Sequence, residues 1–221
     1  VTGVQTCALP ILGRGNHKKN VFVKFAPPAK NKNDELRRDL LLCQQLALIA
    51  LEEEGILVAG GRILEEQGFT FLEMERFDRT GERGRIRMLS FGSLGAPRLS
   101  KPTSWSILAG LLEKEGKIFP EDVQTIKRIE AFYQMIAHAK SDPEDIAFLW
   151  PSGADRASLA PAFGLSPTKI AIDRDLAPFP APACTPELIP VWRQTKSLAK
   201  KFWERVHEDK RLSSSTRETA L

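Results

Sequence analysis

The residues best suited to chemistry lie in a short charged run from His138 to Asp145, which reads HAKSDPED. Asp145 offers carboxylate oxygens, which are acceptable ligands for Mg²⁺. Lys140 cannot accept a proton near neutral pH unless its pKa falls by several units, so we expect it to form a salt bridge with Asp142 or Glu144. His138 has no histidine or cysteine partner at metal-ligand spacing, and an isolated histidine does not make a metal site.

A second candidate group is Lys24, in the segment from Asn20 to Phe25. Its alternation, rich in valine and phenylalanine, predicts a strand. Leucines and alanines at helical spacing from Asp34 to Glu54 predict a helix. Phe69 to Phe77 also alternates and predicts a further strand, and a Thr80–Gly84 turn leads to Arg85 to Ser90, which is expected to pair back as a hairpin.

The second half of the chain is mostly helical in pattern. Helices are predicted at Trp105 to Glu115, from Pro120 to about Lys140, and at Pro190 to Lys210. Two short apolar segments, Ile146 to Trp150 and Ser158 to Phe163, are expected to form a hairpin. The polar tail from Ser213 to Leu221 is expected to fray. The first half of the chain is thus predicted to contain strands and one long helix, and the second half mainly helices. This order indicates an α+β fold.

The composition of the 221-residue chain is globular, with 42% hydrophobic and 27% charged residues. The net charge of +4 is spread over interspersed acids and bases, so it does not by itself indicate nucleic-acid binding. Lys196, Lys200, Lys201 and Arg205 recur at helical spacing, and we expect a solvated face there, with a nucleic-acid contact as the alternative. No apolar run reaches the roughly 18 residues of a membrane span. The three cysteines form no CxxC pair, which favours a reducing cytoplasm.

The first segment, Val1 to Ile11, is uncharged and has neither helical nor strand periodicity. It lacks the positively charged start of a signal peptide. It resembles instead the direct translation of a short-read sequencing adapter, so we expect residues 1–11 to be an artefact joined to a truncated reading frame. A genomic clone that encodes this segment with natural upstream sequence would contradict the expectation.

Motifs with a characteristic order run through the chain. They read VKF from Val23, DLLLCQQLALIAL from Asp39, FLEMERFDRTGERGR from Phe71, FYQMIAHAKSDPEDIAF from Phe132 and LAPAFGLSP from Leu159. Together they resemble the HipA-like serine/threonine kinases, which are toxins of type II toxin–antitoxin pairs. The resemblance implies an α+β, bilobal, protein-kinase-like fold that lacks its N-terminal part. It also implies an N-lobe with hinge at 12–100, a mostly helical C-lobe at 101–212 and a polar tail at 213–221.

The resemblance also implies roles for single residues. Lys24 stands where a lysine holds the ATP phosphates, and Gln44 stands where the glutamate partner of that lysine is expected. Glu75 and Phe77 stand at the hinge that meets adenine. Asp145 replaces a metal-binding asparagine, and its carboxylate could still ligate Mg²⁺. The cofactors implied by the family are therefore ATP and Mg²⁺.

Three positions depart from the family pattern at the residues that support phosphoryl transfer. Lys140 replaces the catalytic aspartate, Asp142 replaces a histidine, and Gly164 replaces a metal-binding carboxylate. We therefore expect an inactive relative, either a pseudokinase or an eroded fragment. One alternative is a regulatory module that binds nucleotide or antitoxin without catalysis, and another is an active kinase with a rearranged site. A sharper hypothesis makes Lys140 a fixed cation that supports metal-independent nucleotide binding.

The partners follow from the same resemblance. It implies a HipB-like helix-turn-helix antitoxin, and through that antitoxin an indirect association with DNA. An active member would also have a protein substrate. The implied location is the bacterial cytoplasm, with no membrane association.

Overall fold

The computed structural model describes residues 5–12, 19–81, 83–95, 104–138, 142–172, 182 and 184–220. The N-terminal part of the chain is an antiparallel sheet with the strand order β1-β2-β4-β3. Its strands are β1 (Gln5–Leu12), β2 (Lys19–Ala26), β3 (Gly61–Glu66) and β4 (Phe69–Glu75). A long helix, α1 (Lys32–Glu53), packs on β2, β3 and β4 through a leucine-rich buried face.

Strand β1 lies mostly within the segment whose pattern indicates no strand. It pairs antiparallel with β2, with Cys7 opposite Val23 and Gln5 opposite Phe25. The backbone groups along an open strand edge can pair with another strand whatever its side-chain pattern. The absence of periodicity at 1–11 therefore does not exclude a strand, and the artefact origin of the segment stays a prediction.

Local sequence specifies both ends of α1. The Asn31 side chain caps the N-terminus by accepting from the N–H groups of Asn33 and Asp34, at 2.9 and 3.1 Å. Gly55 follows the helix with a φ of +73°, a left-handed conformation that glycine adopts without steric strain. The helix predicted at 34–54 is confirmed.

The strand predicted to pair back on β4 pairs elsewhere. β4 lies between β2 and β3, so both of its edges are occupied. Strand β7 (Arg87–Ser90) pairs instead with β8 (Ala147–Trp150), which also pairs with β9 (Ser158–Leu159). A short ribbon of β5 (Arg79–Thr80) and β6 (Gly84–Arg85) precedes β7. The hairpin predicted from the two short apolar segments is confirmed. The hairpin predicted across the Thr80–Gly84 turn forms only between β5 and β6, because Arg87–Ser90 pairs with β8 instead.

The C-terminal part is mainly helical. Its helices are α2 (Phe91–Gly95), α3 (Trp105–Lys114), α4 (Pro120–Met135), α5 (Lys169–Ile172), α6 (Ile189–Glu208) and α7 (Ser214–Glu218). Helix α4 packs between α3 and α6. Trp105 meets Tyr133 edge-on at 4.7 Å between ring centroids, and Phe132 meets Phe202 edge-on at 5.9 Å. These buried aromatic pairs anchor the helical core. Among the described helices, none is long and apolar enough to cross a membrane.

The basic face of α6 contacts α1. Arg205 Nη2 donates to both carboxylate oxygens of Glu53, at 2.7 and 2.8 Å. Lys201 lies 3.8 Å from a carboxylate oxygen of Glu54. The acidic end of α1 therefore faces these bases. The expectation of a solvated face holds for Lys201, which is exposed, and is corrected for Arg205, which is only partly exposed.

The polar tail is docked on α1 and is not frayed. The backbone N–H of Ser213 donates to Asp39 Oδ2 at 3.0 Å, and the Ser213 hydroxyl donates to the same oxygen. Asp39 is fully buried and also accepts from Arg38 Nη2 at 3.0 Å. A buried carboxylate needs such donors, so its burial explains why a polar tail becomes ordered.

Replacing Asp39 with alanine is expected to lower the free energy of unfolding by about 1.5–3 kcal/mol, because hydrogen bonds to a buried charged group are lost and their donors are left unpaired. Urea denaturation of the full chain measures this value. Glu35→Ala on the exposed side of the same helix is the matched control. Equal effects of the two substitutions would contradict the role assigned to the Asp39–Ser213 contact.

Candidate functional site

A hydrogen-bonded bridge joins the sheet, α1 and the C-terminal part of the chain. Lys24 Nζ on β2 donates to Gln44 Oε1 at 2.9 Å. The amide nitrogen of Gln44 donates to the Phe163 carbonyl oxygen and also contacts Met74 Sδ at 3.4 Å. Gln44 is buried, and its amide accepts on one side and donates on the other, as only a neutral amide can. We call this the Lys24–Gln44–Phe163 bridge.

The Lys24 ammonium experiences two opposing electrostatic effects. Burial lowers the pKa of Lys24, and the negative charge of Asp145 raises it, with burial the larger effect. Asp145 belongs to the loop before β8, so the two candidate residues from opposite parts of the sequence lie close enough to interact. This brings a cation and a carboxylate into one cluster.

Gly164 lies directly beside Asp145. A Cβ atom built on Gly164 would lie 3.7 Å from Asp145 Oδ1 and 3.7 Å from the Tyr133 hydroxyl oxygen, which are ordinary van der Waals distances. Gly164 has no positive φ of the kind that favours glycine. Neither backbone conformation nor crowding therefore requires glycine at this position.

His138 is part of this cluster, although its isolation in the sequence gives no indication of that. Its Nδ1 lies 2.6 Å from the Ser166 carbonyl oxygen, and its Nε2 lies 3.5 Å from Asp145 Oδ2. Its ring packs on Tyr133 at 4.0 Å between centroids. Helix α4 ends at Met135, short of the predicted Lys140, because Ala137 adopts a left-handed φ of +57°. That turn brings His138 to the site.

Tyr133 lies between the aromatic core and the cluster. Its hydroxyl donates to the Gly164 carbonyl oxygen at 3.3 Å. Burial is the main cause that raises the pKa of Tyr133, and the charges of Asp145 and Asp142 raise it further. The phenol therefore stays protonated and serves as a donor that fixes the loop at Gly164.

The predicted hinge follows β4 immediately. Glu75 is the last residue of β4, and its side chain is exposed. The Phe77 ring packs on the Phe163 ring at 5.8 Å between centroids, so the hinge contacts the same loop as the bridge. Arg76 Nε donates to Asp78 Oδ1 at 2.8 Å, and this hydrogen bond is the main cause that lowers the pKa of Asp78. Arg76 and Asp78 therefore form a structural ion pair beside the hinge.

The structure brings most of the predicted site residues together and leaves one outside. Lys24, Gln44, Asp145 and Gly164 lie in one cluster, and Phe77 packs on Phe163 beside it. Among the described residues, Asp142 has no hydrogen bond to this cluster. Its Oδ1 accepts instead from the Glu144 N–H at 3.0 Å and caps the turn at Pro143–Asp145. Lys140 lies outside the described residues, so its predicted salt bridge stays a prediction.

Metal ligation has limited support around Asp145. No group of three or more histidine, cysteine or carboxylate side chains suited to a metal occurs in the described ranges. Asp145 and His138 offer one carboxylate and one imidazole, whereas Mg²⁺ prefers oxygen ligands. The described residues therefore fit the phosphates of ATP, through Lys24, better than they fit Mg²⁺.

Replacing Gln44 with glutamate is expected to destabilise the fold by about 1–3 kcal/mol, although it restores the ion-pair partner that the family resemblance predicts. A carboxylate cannot donate to the Phe163 carbonyl oxygen and would place a second oxygen against it. Urea denaturation at pH 7 measures the change, with Gln45→Glu on the same helix as control. A stability equal to or above that of the wild type would show that the donation to Phe163 is dispensable.

Comparisons with known proteins find one curated relative and solved structures of similar fold. No protein-family profile matches the chain. The chain is 27% identical over 213 residues to Toxin YjjJ of Escherichia coli (strain K12), covering 91% of this chain and 46% of that protein. It therefore spans about half the length of the curated relative it matches.

Two solved structures resemble the fold. The Helicobacter pylori proinflammatory kinase CtkA superposes with a TM-score of 0.62 at 12% identity, over 91% of this chain and 84% of that chain. The Shewanella oneidensis HipA, solved with HipB and its operator DNA, superposes with a TM-score of 0.59 at 14% identity, over 97% of this chain and 61% of that chain. The expected α+β, kinase-like fold is confirmed. The chain is therefore a homologue of Toxin YjjJ whose fold resembles those of the HipA and CtkA kinases.

Proposed function

We propose that this protein is a HipA-like pseudokinase, which binds a nucleotide such as ATP but does not transfer its phosphate. The observation that carries the proposal is the Lys24–Gln44–Phe163 bridge. On α1 it holds Lys24 by a neutral amide in place of an acidic partner, while Gly164 offers no carboxylate for metal. Recognition groups are kept and transfer groups are replaced.

Each residue then has a limited task. Lys24 supplies a cation to the nucleotide phosphates, and Gln44 orients that cation by accepting from its ammonium group. Glu75 and Phe77 border the adenine. Lys140, which stands in place of the catalytic aspartate, cannot take the proton of a substrate hydroxyl near neutral pH.

An interaction role is the second candidate, and one comparison favours it. The HipA neighbour was solved with HipB and operator DNA, so a helix-turn-helix antitoxin is the proposed partner, with DNA association through that antitoxin in a bacterial cytoplasm. A protein of this kind could regulate through antitoxin binding alone. The test is whether the purified product of a neighbouring helix-turn-helix gene binds the full chain.

Thermal-shift titration with ATP, in EDTA and in MgCl2, tests the primary proposal. We expect stabilisation by ATP in both buffers, and larger stabilisation by ATP than by adenosine, because Lys24 acts on the phosphates. Absence of any ATP-dependent shift would overturn nucleotide binding. Antitoxin binding without a shift would favour the interaction role.

A further inference from the structure

A cavity separate from the Lys24–Gln44–Phe163 bridge lies between the end of α4, the start of α5, α6 and the residues that follow α7. Its volume is about 390 Å³, within the roughly 300–1,000 Å³ of small-molecule sites. Neither the bridge residues nor Asp145 line it. We propose that this cavity, here called the α4–α6 cavity, binds a small aromatic carboxylate that also carries an N–H donor.

The apolar wall of the α4–α6 cavity suits a flat ring. It includes Met135, Ala137, Trp203 and Ala220. Trp203 Nε1 donates to the Met135 carbonyl oxygen at 3.0 Å, and the Trp203 ring meets that of Phe202 edge-on at 5.0 Å between centroids. Trp203 is therefore held in place without a ligand. A fixed indole ring beside a methionine side chain favours an aromatic ligand.

The charged groups of the cavity favour an anion. Lys169 and Lys200 line it together with one carboxylate, that of Glu204, so the lining is net positive. Lys200 Nζ lies 3.3 Å from Glu204 Oε1, and this carboxylate is therefore already paired. The partly exposed Lys169 side chain has no carboxylate partner among the described residues. A ligand carboxylate would give this ammonium group a partner, whereas a ligand cation would be repelled.

The Gln134 amide supplies the third recognition group. Gln134 lines the cavity, and its Oε1 is buried without a hydrogen-bond partner in the described part of the chain. A buried acceptor without a donor is unfavourable. A small rotation of the side chain would present Oε1 to a ligand N–H. The unpaired acceptor, the unpaired lysine and the aromatic wall together define the ligand by its N–H, its carboxylate and its ring.

Indole-3-acetate is the probe, because it combines an aromatic ring, a carboxylate and a ring N–H. The full chain is labelled with isotopic tryptophan for nuclear magnetic resonance, and Trp203→Phe assigns the Trp203 indole signal. We expect the probe to shift that signal. The Trp150 signal is the control and should not move, since Trp150 Nε1 likewise donates to a backbone carbonyl, that of Ala154 at 2.8 Å, but Trp150 does not line the cavity.

Tryptamine separates charge recognition from apolar binding, because it carries an ammonium group in place of the carboxylate. We expect tryptamine to leave the Trp203 signal unchanged. No shift of the Trp203 signal by indole-3-acetate, or equal shifts by the two compounds, would overturn the proposed site.

Two substitutions test the polar groups. Lys169→Met is expected to weaken indole-3-acetate binding about 10- to 100-fold, because a hydrogen bond between charged groups is lost. Lys196→Met, on α6 outside the cavity, is the control and should leave the affinity unchanged. Gln134→Leu is expected to weaken indole-3-acetate binding about 2- to 10-fold, but to leave the affinity for N-methylindole-3-acetate unchanged, because that compound has no N–H to donate.

Unchanged affinity in Lys169→Met, or equal losses for the two indole compounds in Gln134→Leu, would contradict the assigned contacts. ATP binding by Lys169→Met should match that of the wild type, because Lys169 lies outside the Lys24–Gln44–Phe163 bridge. The α4–α6 cavity and the proposed nucleotide site are therefore tested independently.

Discussion

Restoring both missing carboxylates, by Lys140→Asp together with Gly164→Asp, is expected to raise phosphoryl transfer from ATP by at least about 10³-fold. A positioned general base contributes about 10²–10⁴-fold. A second carboxylate would help to hold Mg²⁺ on the ATP phosphates, as carboxylates do in active kinases. Incorporation of label from γ-labelled ATP into the protein, in MgCl2, measures the gain. Each single substitution is expected to give far less than the pair.

The cleft can accept the new aspartate at position 164. No positive φ demands glycine there, and the added Cβ atom meets nothing closer than 3.7 Å. The new carboxylate would lie near Asp145, so Gly164→Asp should also make the fold more stable in MgCl2 than in EDTA. Gly110→Asp is the control for added negative charge, since a Cβ atom there meets nothing within 4 Å. A double variant that binds ATP and Mg²⁺ but transfers no phosphate would contradict the account of lost chemistry.

Replacing Lys24 with methionine is expected to weaken ATP binding by about 10- to 100-fold, because a hydrogen bond from a charged donor to phosphate is worth about 1.5–3 kcal/mol. Isothermal titration with ATP measures the loss. Lys196→Met, at an exposed position on α6, is the control and should leave ATP affinity unchanged. Equal ATP affinity in Lys24→Met and the wild type would remove Lys24 from the nucleotide site.

The same substitution has a pH signature in the free protein. Folding lowers the pKa of Lys24 below its ordinary value of 10.5, so in the window below 10.5 the unfolded chain binds more protons than the folded chain. The stability of the wild type relative to Lys24→Met therefore rises as the pH increases through that window. ATP affinity of the wild type should fall over the same pH range, because neutral Lys24 attracts phosphate poorly.

The elements that carry Lys24 and Gln44 are predictable from the sequence, because an alternating strand and a leucine-rich helix have strong local patterns. The resemblance to HipA-like kinases adds the expectation that the two residues meet, and they do. The resemblance also places Phe77 at the hinge, in the ERFDR motif, and Phe163 in the metal-binding loop. Because both segments border the nucleotide in the family, their proximity is expected. The role of the Gln44 amide is not predictable in this way. From the sequence, Gln44 is interpreted only as the loss of a glutamate, and its donation to Phe163 is visible only in the structure.

The contacts that the sequence does not predict are those between distant segments. Asp39 and Ser213 are 174 positions apart, and neither residue type indicates a partner. His138 meets Asp145 only because Ala137 ends α4 in a left-handed conformation, which no residue pattern specifies for alanine. Pairing of β7 with β8 depends on β4 having both edges occupied. Such features follow from tertiary packing and not from local propensity.

The central claim is that the cleft binds ATP without transferring its phosphate, and one measurement tests it most directly. The full chain is equilibrated with γ-labelled ATP and a divalent ion, and retained label is measured before and after denaturation. We expect the folded wild type to retain label, Lys24→Met to retain less, and denaturation to release all of it. Label that stays covalently attached to the wild-type protein, or no retention at all, would contradict it.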